Sequence, residues 1–192
     1  MRTLLARLVL RWMRWTTVVE RPIPDKCVMI AAPHTTNWDF VVTVAMARAS
    51  GLSIRWLGKA ALFRPPMGWF MRALGGVPVQ RDSASGMVSG LAARFAACDE
   101  LHLVVPAEGT RSRTDYWKSG FYRIALEADV PVLCAWVDGP RRRGGFGQVI
   151  HLTGDVRADM DRVRAFYAGK EGLRPDRFGP IRLRDEDVPE VV

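Results

Sequence analysis

The sequence predicts an α/β fold: a mostly parallel central sheet flanked by helices, in a single domain. Three observations predict it. Short apolar runs bounded by turn residues alternate with longer stretches of helical spacing, the pattern of buried strands joined by crossover helices. No composition shift, internal repeat or low-complexity linker divides the 192 residues. The hydrophobic and charged shares, 48% and 25%, suit a chain with a normal core and exclude disorder, collagen and coiled coil.

Residues 1–19, MRTLLARLVLRWMRWTTVV, read as an amphipathic helix. Leu5, Leu8, Trp12 and Trp15 form one stripe, and Arg7, Arg11 and Arg14 another. The arginines interrupt any membrane span, and no small residues mark a signal cleavage point. The segment suits an interfacial helix on an anionic bilayer or a helix packed on its own core.

Lys26 to Ala32, ended by Pro33, reads as a buried strand, and Trp38 to Ala49 as a helix closed by Gly51. Residues 54–57 form a second strand. Residues 67–74 form a short helix stopped by Gly75-Gly76. Residues 77–79 are extended and 85–97 helical. Strands at 101–105, 132–137 and 148–152 and helices at 120–128 and 157–168 complete a body spanning 20–176. Residues 177–192, with Pro180 and Pro189, are expected to form a polar surface tail.

The net charge is +8, from 28 Lys and Arg against 20 Asp and Glu. This points to an anionic partner: nucleic acid, a phospholipid surface or a phosphorylated substrate. No zinc finger, RNP-type stretch or basic recognition helix is present, which argues against nucleic acid. Cys27, Cys98 and Cys134 are odd in number, widely spaced and flanked by apolar residues, so reduced core thiols of a cytosolic protein are expected. No Cys/His spacing suggests a metal, and metal-free chemistry is expected. His102 and His151 alternate with apolar neighbours and read as sheet-face residues. Arg141-Arg142-Arg143 forms a basic loop that suits phosphoryl groups or a solvated turn.

In a parallel sheet, chemistry gathers in loops at the carboxyl ends of strands. Three such segments carry more than a connection requires. In Pro33 to Asp39, His34 and Asp39 are five apart, so the carboxylate can turn back to the imidazole, fix its tautomer and support its charged form. Asp39 is also explained as a residue of a helix first turn. In Pro106 to Arg113, Glu108 can hold Arg111 or bind substrate hydroxyls. Gly109 permits a tight backbone, Thr110 and Ser112 offer hydroxyls, and Arg111 offers a planar fork for phosphate. In the middle segment, Lys59 and Arg81 follow extended runs and can converge on an anion. The Gly75-Gly76-Val77 turn is a place to look for oxyanion donors. No Gly-x-Ser-x-Gly elbow is present and Ser112 has no neighbouring base in sequence, so no serine nucleophile is expected.

The order His-x4-Asp, then Lys59 with Gly76-Val77-Pro78-Val79-Gln80-Arg81, then Glu108-Gly109-Thr110-Arg111-Ser112, then Val130-Pro131-Val132, resembles the glycerol-phosphate and lysophospholipid acyltransferases, the PlsC-like family. The resemblance covers roughly residues 28 to 137. It implies an acyl thioester donor (acyl-CoA or acyl-carrier protein), a lipid or glycerol-phosphate acceptor and no further cofactor. It implies His34 as general base, Asp39 as its orienting carboxylate, and Lys59, Arg81 and Arg111 as phosphate ligands. Glu108 and Gly109 to Ser112 shape the acceptor site, and Lys118 matches a lysine-rich stretch that follows. Ala107 stands where the family has proline, Ala60-Ala61 replaces an acidic residue, and Leu133-Cys134-Ala135 replaces a continuation to proline. These departures fall in acceptor-shaping blocks. A glycolipid, lyso-ornithine lipid or sugar acceptor therefore stands as an alternative, as does a non-catalytic lipid-binding protein. The expected location is cytoplasmic, peripheral on the inner face of the cell membrane through residues 1–19.

Overall fold

The computed structural model describes residues 2–79 and 84–187. Seven strands form one sheet: β1 (Thr16–Val19), β2 (Lys26–Ala32), β3 (Ile54–Lys59), β4 (Gly76–Val79), β5 (Leu101–Val105), β6 (Val132–Asp138) and β7 (Arg143–Ile150). Their order is β1-β7-β6-β2-β5-β3-β4. The pairs β6–β2, β2–β5, β5–β3 and β3–β4 are parallel. β7 runs antiparallel to β6, and β1 runs parallel to β7. The expected mostly parallel α/β sheet is therefore observed. β2 lies at its centre, and Cys27, Val28, Met29 and Ile30 are fully buried, as a strand covered on both faces requires.

Six helices cover the sheet: α1 (Arg2–Trp12), α2 (Asn37–Ala49), α3 (Gly68–Ala73), α4 (Ala84–Ala96), α5 (Gly120–Glu127) and α6 (Val156–Tyr167). One face packs Phe95 of α4, Phe121 and Ile124 of α5, and Met160, Val163 and Tyr167 of α6 against Val28, Ile30, Leu103 and Val132. The other packs Ala6 and Leu10 of α1, Val42 and Met46 of α2, and Phe63 and Met71 against Met29, Trp56, Leu133 and Phe146.

Four expectations change. The N-terminal helix ends at Trp12, and Thr16–Val19 instead adds a strand beside Arg143–Phe146. Trp15 is buried rather than part of an outer stripe, whereas Leu4, Leu5, Leu8 and Trp12 are exposed. β7 starts at Arg143, so much of it lies upstream of the expected 148–152 strand. Its glycines lower β propensity, yet each is required by a close approach. A Cβ on Gly145 would lie 1.7 Å from the Val18 carbonyl oxygen, and one on Gly147 2.5 Å from the Phe166 ring. Finally, residues 177–187 do not form a free tail. Leu183 is fully buried and bridges to Trp117, and Arg164 of α6 holds Glu186 at 2.7 Å.

Cys27 and Cys134 are buried as expected, whereas Cys98 is exposed in the turn after α4. His102 is buried and structural, its Nε2 lying 2.9 Å from the Pro24 carbonyl oxygen. His151 is exposed just past the end of β7 rather than on the sheet.

Candidate active site

β2 and β5 are neighbours, but their chains leave on opposite faces: β2 runs into α2 on one side, β5 into α5 on the other. Adjacent strands whose connections diverge leave a crevice at their carboxyl ends. The loop 33–36 and the loop beginning at Pro106 meet there.

The first loop is organised by Asp39. Thr36 is the N-cap of α2, and its hydroxyl accepts from the amides of Trp38 and Asp39 at 3.1 and 3.3 Å. Asp39 Oδ2 accepts from the amides of Thr35 and Thr36, each at 2.6 Å, and from the Thr35 hydroxyl at 3.1 Å. This reciprocal capping box fixes the turn between strand and helix. The carboxylate thus turns back over the loop as expected, but onto backbone amides; no hydrogen bond joins it to the His34 ring. Its Oδ1 is buried without a partner.

His34 is half-buried at the start of this loop. Burial lowers its imidazole below the ordinary histidine value, the Asp39 carboxylate opposes that, and the Arg111 guanidinium lowers it further. The ring is thereby biased toward its neutral form and lies within the field of both side chains. Its backbone N–H donates to Glu108 Oε1 at 2.5 Å.

Glu108 is 1% exposed, and its Oε2 is buried without a partner. Burial pushes its carboxyl up to about 7, with the His34 amide opposing and Asp39 adding to the rise. The turn that carries it closes through Gly109 N–H to the Pro106 carbonyl at 3.0 Å, with Gly109 at φ +68°. A Cβ there would also lie 2.8 Å from the Lys118 stem. Lys118 is thereby placed over this loop, its amide donating to the Ala107 carbonyl at 2.7 Å.

Beyond the turn the chain returns to solvent. Arg111 is exposed and donates to Asn37 Oδ1 at the start of α2. Thr110 and Ser112 are exposed, and the Thr110 hydroxyl accepts the Ser112 amide at 3.2 Å. Glu108 does not hold Arg111; the residue it holds is His34. The structure thus brings His34, Asp39, Glu108 and Arg111 together.

Lys59 ends β3 and is exposed at the same carboxyl edge. It lies two strand positions from β2, roughly 10 Å away at the usual strand spacing. Arg81 lies outside the described residues. The Gly75-Gly76-Val77 turn does not belong to the site. It opens β4, three strands from β2 and at the opposite end of the strands from His34. The Gly75 amide is already bonded to the Arg72 carbonyl at 2.9 Å. Those amides cannot reach an oxyanion beside His34.

Sequence reasoning missed a strap across the back of the site. After α6, Gly172 meets the His34–Asp39 loop so closely that a Cβ on it would lie 2.7 Å from the Thr35 side chain. The Arg174 amide donates to the Thr35 hydroxyl at 3.1 Å. Only the Gly-containing turn Lys170 to Arg174 hinted at such an approach, and nothing local named its target. Asn37 was likewise unmarked.

A search of curated protein sequences finds no match. Among solved structures, the 1-acyl-sn-glycerophosphate (LPA) acyltransferase PlsC from Thermotoga maritima is similar in fold at 16% identity. Its TM-score is 0.56, with 85% of this chain and 74% of that chain covered. The profile of the family described as Acyltransferase matches residues 16–138, from β1 through the end of β6, and so spans both loops of the crevice. The chain belongs to the acyltransferase family.

Proposed function

We propose that this enzyme moves an acyl chain from an acyl thioester, acyl-CoA or acyl-carrier protein, to a hydroxyl of a glycerol phosphate or lysophospholipid, with His34 as general base. The observation that carries the reading is the half-buried His34 imidazole in the crevice, within the electrostatic reach of both the buried Asp39 carboxylate and the exposed Arg111 guanidinium. An alcohol is a poor nucleophile at neutral pH. His34 takes its proton as the oxygen attacks the thioester carbonyl, a step worth roughly 10²–10⁴ in rate. The new C–O bond forms, the C–S bond breaks, and the thiolate leaves with the proton from the imidazolium. Asp39 stabilises that imidazolium through its charge, and its unpartnered Oδ1 is the acceptor available to the ring N–H.

Arg111 supplies the fork for the acceptor phosphate, with Lys59 and Arg81 as further cations and Thr110 and Ser112 as hydroxyl partners. The Thermotoga maritima neighbour is a 1-acyl-sn-glycerophosphate acyltransferase, which favours a phosphorylated glycerolipid acceptor. No helix among the described residues is long and apolar enough to cross a membrane. The exposed Leu4, Leu5, Leu8 and Trp12 of α1 favour peripheral contact with the inner face of the cell membrane.

Mass spectrometry of lipids after incubation with acyl-CoA or acyl-carrier protein and a panel of acceptors tests this reading. The panel holds glycerol 3-phosphate, lysophosphatidate, lyso-ornithine lipid and a glycolipid. Acylated phosphate acceptors with wild type and none with folded His34→Ala are expected. Full transfer by His34→Ala would refute the base assignment. Product only from a non-phosphate acceptor would move the activity to that class, and no product from any acceptor would favour a binding protein.

A further inference from the structure

The net positive charge is not spread over the chain. Residues 1–19 and 40–81 contain ten Arg and Lys and no Asp or Glu, whereas the rest carry 18 against 20. These two acid-free segments build much of one side of the molecule: α1, most of α2, the short turn Ala60–Phe63 and α3 all cover the same sheet face.

That side also carries most of the exposed large apolar side chains. α1 buries Ala6 and Leu10 and leaves Trp12 85% exposed beside Leu4, Leu5 and Leu8. α2 leaves Trp38 and Val41 exposed, Trp38 immediately between Asn37 and Asp39. In the crossover from β3 to β4, Phe63 turns inward against Trp56, while Leu62, Met67, Trp69 and Phe70 face solvent, Trp69 at 74% exposure. Exposed Lys59, Arg64 and Arg72 flank them. A single exposed leucine needs no explanation, but apolar residues on three elements of one face, flanked by exposed cations, do.

We propose that the segment Leu62–Phe70 is a second anchor on an anionic phospholipid surface, acting with α1 to seat this whole face on the bilayer. Tryptophan, methionine and phenylalanine enter the acyl boundary while arginine and lysine hold the headgroups. Beside α1, a cleft of about 630 Å³ lined by Arg7, Arg11, Arg14 and Arg21 suits a headgroup phosphate. Two anchors fix orientation as well as distance, and Trp38 then brings the His34 crevice to the lipid boundary from which a lysophospholipid is drawn. The anchor itself stands on exposure and charge; its service to catalysis rests on the acyltransfer reading above.

Sucrose-loaded vesicles of phosphatidylglycerol and phosphatidylcholine, compared with phosphatidylcholine alone, test this with the full chain. Wild type is expected to sediment with the anionic vesicles and much less with the neutral ones. Trp69→Ser with Phe70→Ser is expected to weaken that partition by roughly tenfold or more, as is Leu8→Ser with Trp12→Ser. Trp69→Ser alone, exposed and outside the core, gives a smaller loss and guards against misfolding, with circular dichroism as the control. Both α3 variants should keep wild-type rates on a water-soluble short-chain acceptor and lose rate on acceptor held in vesicles. Unchanged vesicle binding by the double α3 variant overturns the proposal. So does a wild-type dimer in solution that this variant converts to monomer, since a second copy then covers the face. Failure of all acyl transfer with vesicle binding intact would count against the acyltransfer reading alone.

Discussion

The backbone N–H of His34 donates to Oε1 of Glu108 at 2.5 Å, a bond that joins residues 74 apart in sequence. It ties the loop after β2 to the loop after β5, so the site is set by the pairing of those two strands. Through it a buried carboxyl holds the main chain of the residue proposed as the base, while its other oxygen has no partner.

Glu108→Gln should change how stability depends on pH. Burial raises the folded carboxyl to about 7 from an ordinary 4.5. Between those values the folded chain keeps a proton that the unfolded chain has lost. Stability from this group therefore falls as pH rises from 4.5 to 7 and then levels. Glutamine keeps an oxygen for the His34 amide and does not titrate. Relative to wild type, the variant should gain stability across that window, by an amount on the order of 3 kcal/mol at pH 8 compared with pH 4. Urea titrations at the two pH values measure it. An unchanged difference would mean that folding does not raise the Glu108 carboxyl.

Arg111→Ala should move the acid limb of the kcat/KM profile. The guanidinium lowers the His34 pKa. Without it the imidazole protonates at higher pH, so activity fails earlier as the solution is acidified. The KM for a phosphate acceptor should also rise, by roughly tenfold or more with loss of the fork. Arg111→Lys retains the charge and should leave the limb in place while still raising KM. A limb unmoved in Arg111→Ala would separate Arg111 from the base.

The sequence made the centre of the sheet legible because β2, β5 and β6 are continuous apolar runs, which only a strand buried on both faces explains in so few residues. β1 and the first part of β7 escaped it. Thr16–Val19 follows a helix without a turn signal, and β7 carries Gly144, Gly145 and Gly147, chosen for close approach rather than β propensity. In the site, His34, Asp39, Glu108 and Arg111 were readable because each lies just past a strand. The Gly75-Gly76 amides were misread, since glycine shows where a backbone bends but not which end of a sheet it occupies. The contact of Thr35 with Arg174 spans 139 residues, and no local pattern encodes it.

Asp39→Asn and Asp39→Ala should separate the cap this side chain provides from the catalytic role proposed for it. Asparagine retains an oxygen for the Thr35 and Thr36 amides that now donate to Oδ2, so the helix cap persists. It removes the charge that supports the imidazolium, and kcat should fall by roughly 10²–10⁴ with little change in stability. Alanine loses the cap as well, and should cost about 1–2 kcal/mol more in unfolding free energy. Thermal melts and kcat on the same samples read both. An asparagine variant with full kcat would leave Asp39 as a cap alone.

Gly172→Ala should slow the enzyme without touching substrate. The new Cβ would lie 2.7 Å from both Cγ2 and Oγ1 of Thr35 and 3.1 Å from the Pro33 Cβ, so Thr35 must move. Thr35 donates to Asp39 through its amide at 2.6 Å and its hydroxyl at 3.1 Å, and the displacement therefore passes to the carboxylate beside His34. A shift of that kind is expected to lower kcat by roughly 10–100-fold while the KM for the thioester stays put. Thr35→Ala removes the two atoms that clash, so adding Gly172→Ala to it should cost little more. The double-mutant cycle then shows strong coupling, and additive losses would mean that the strap acts on the site by another route.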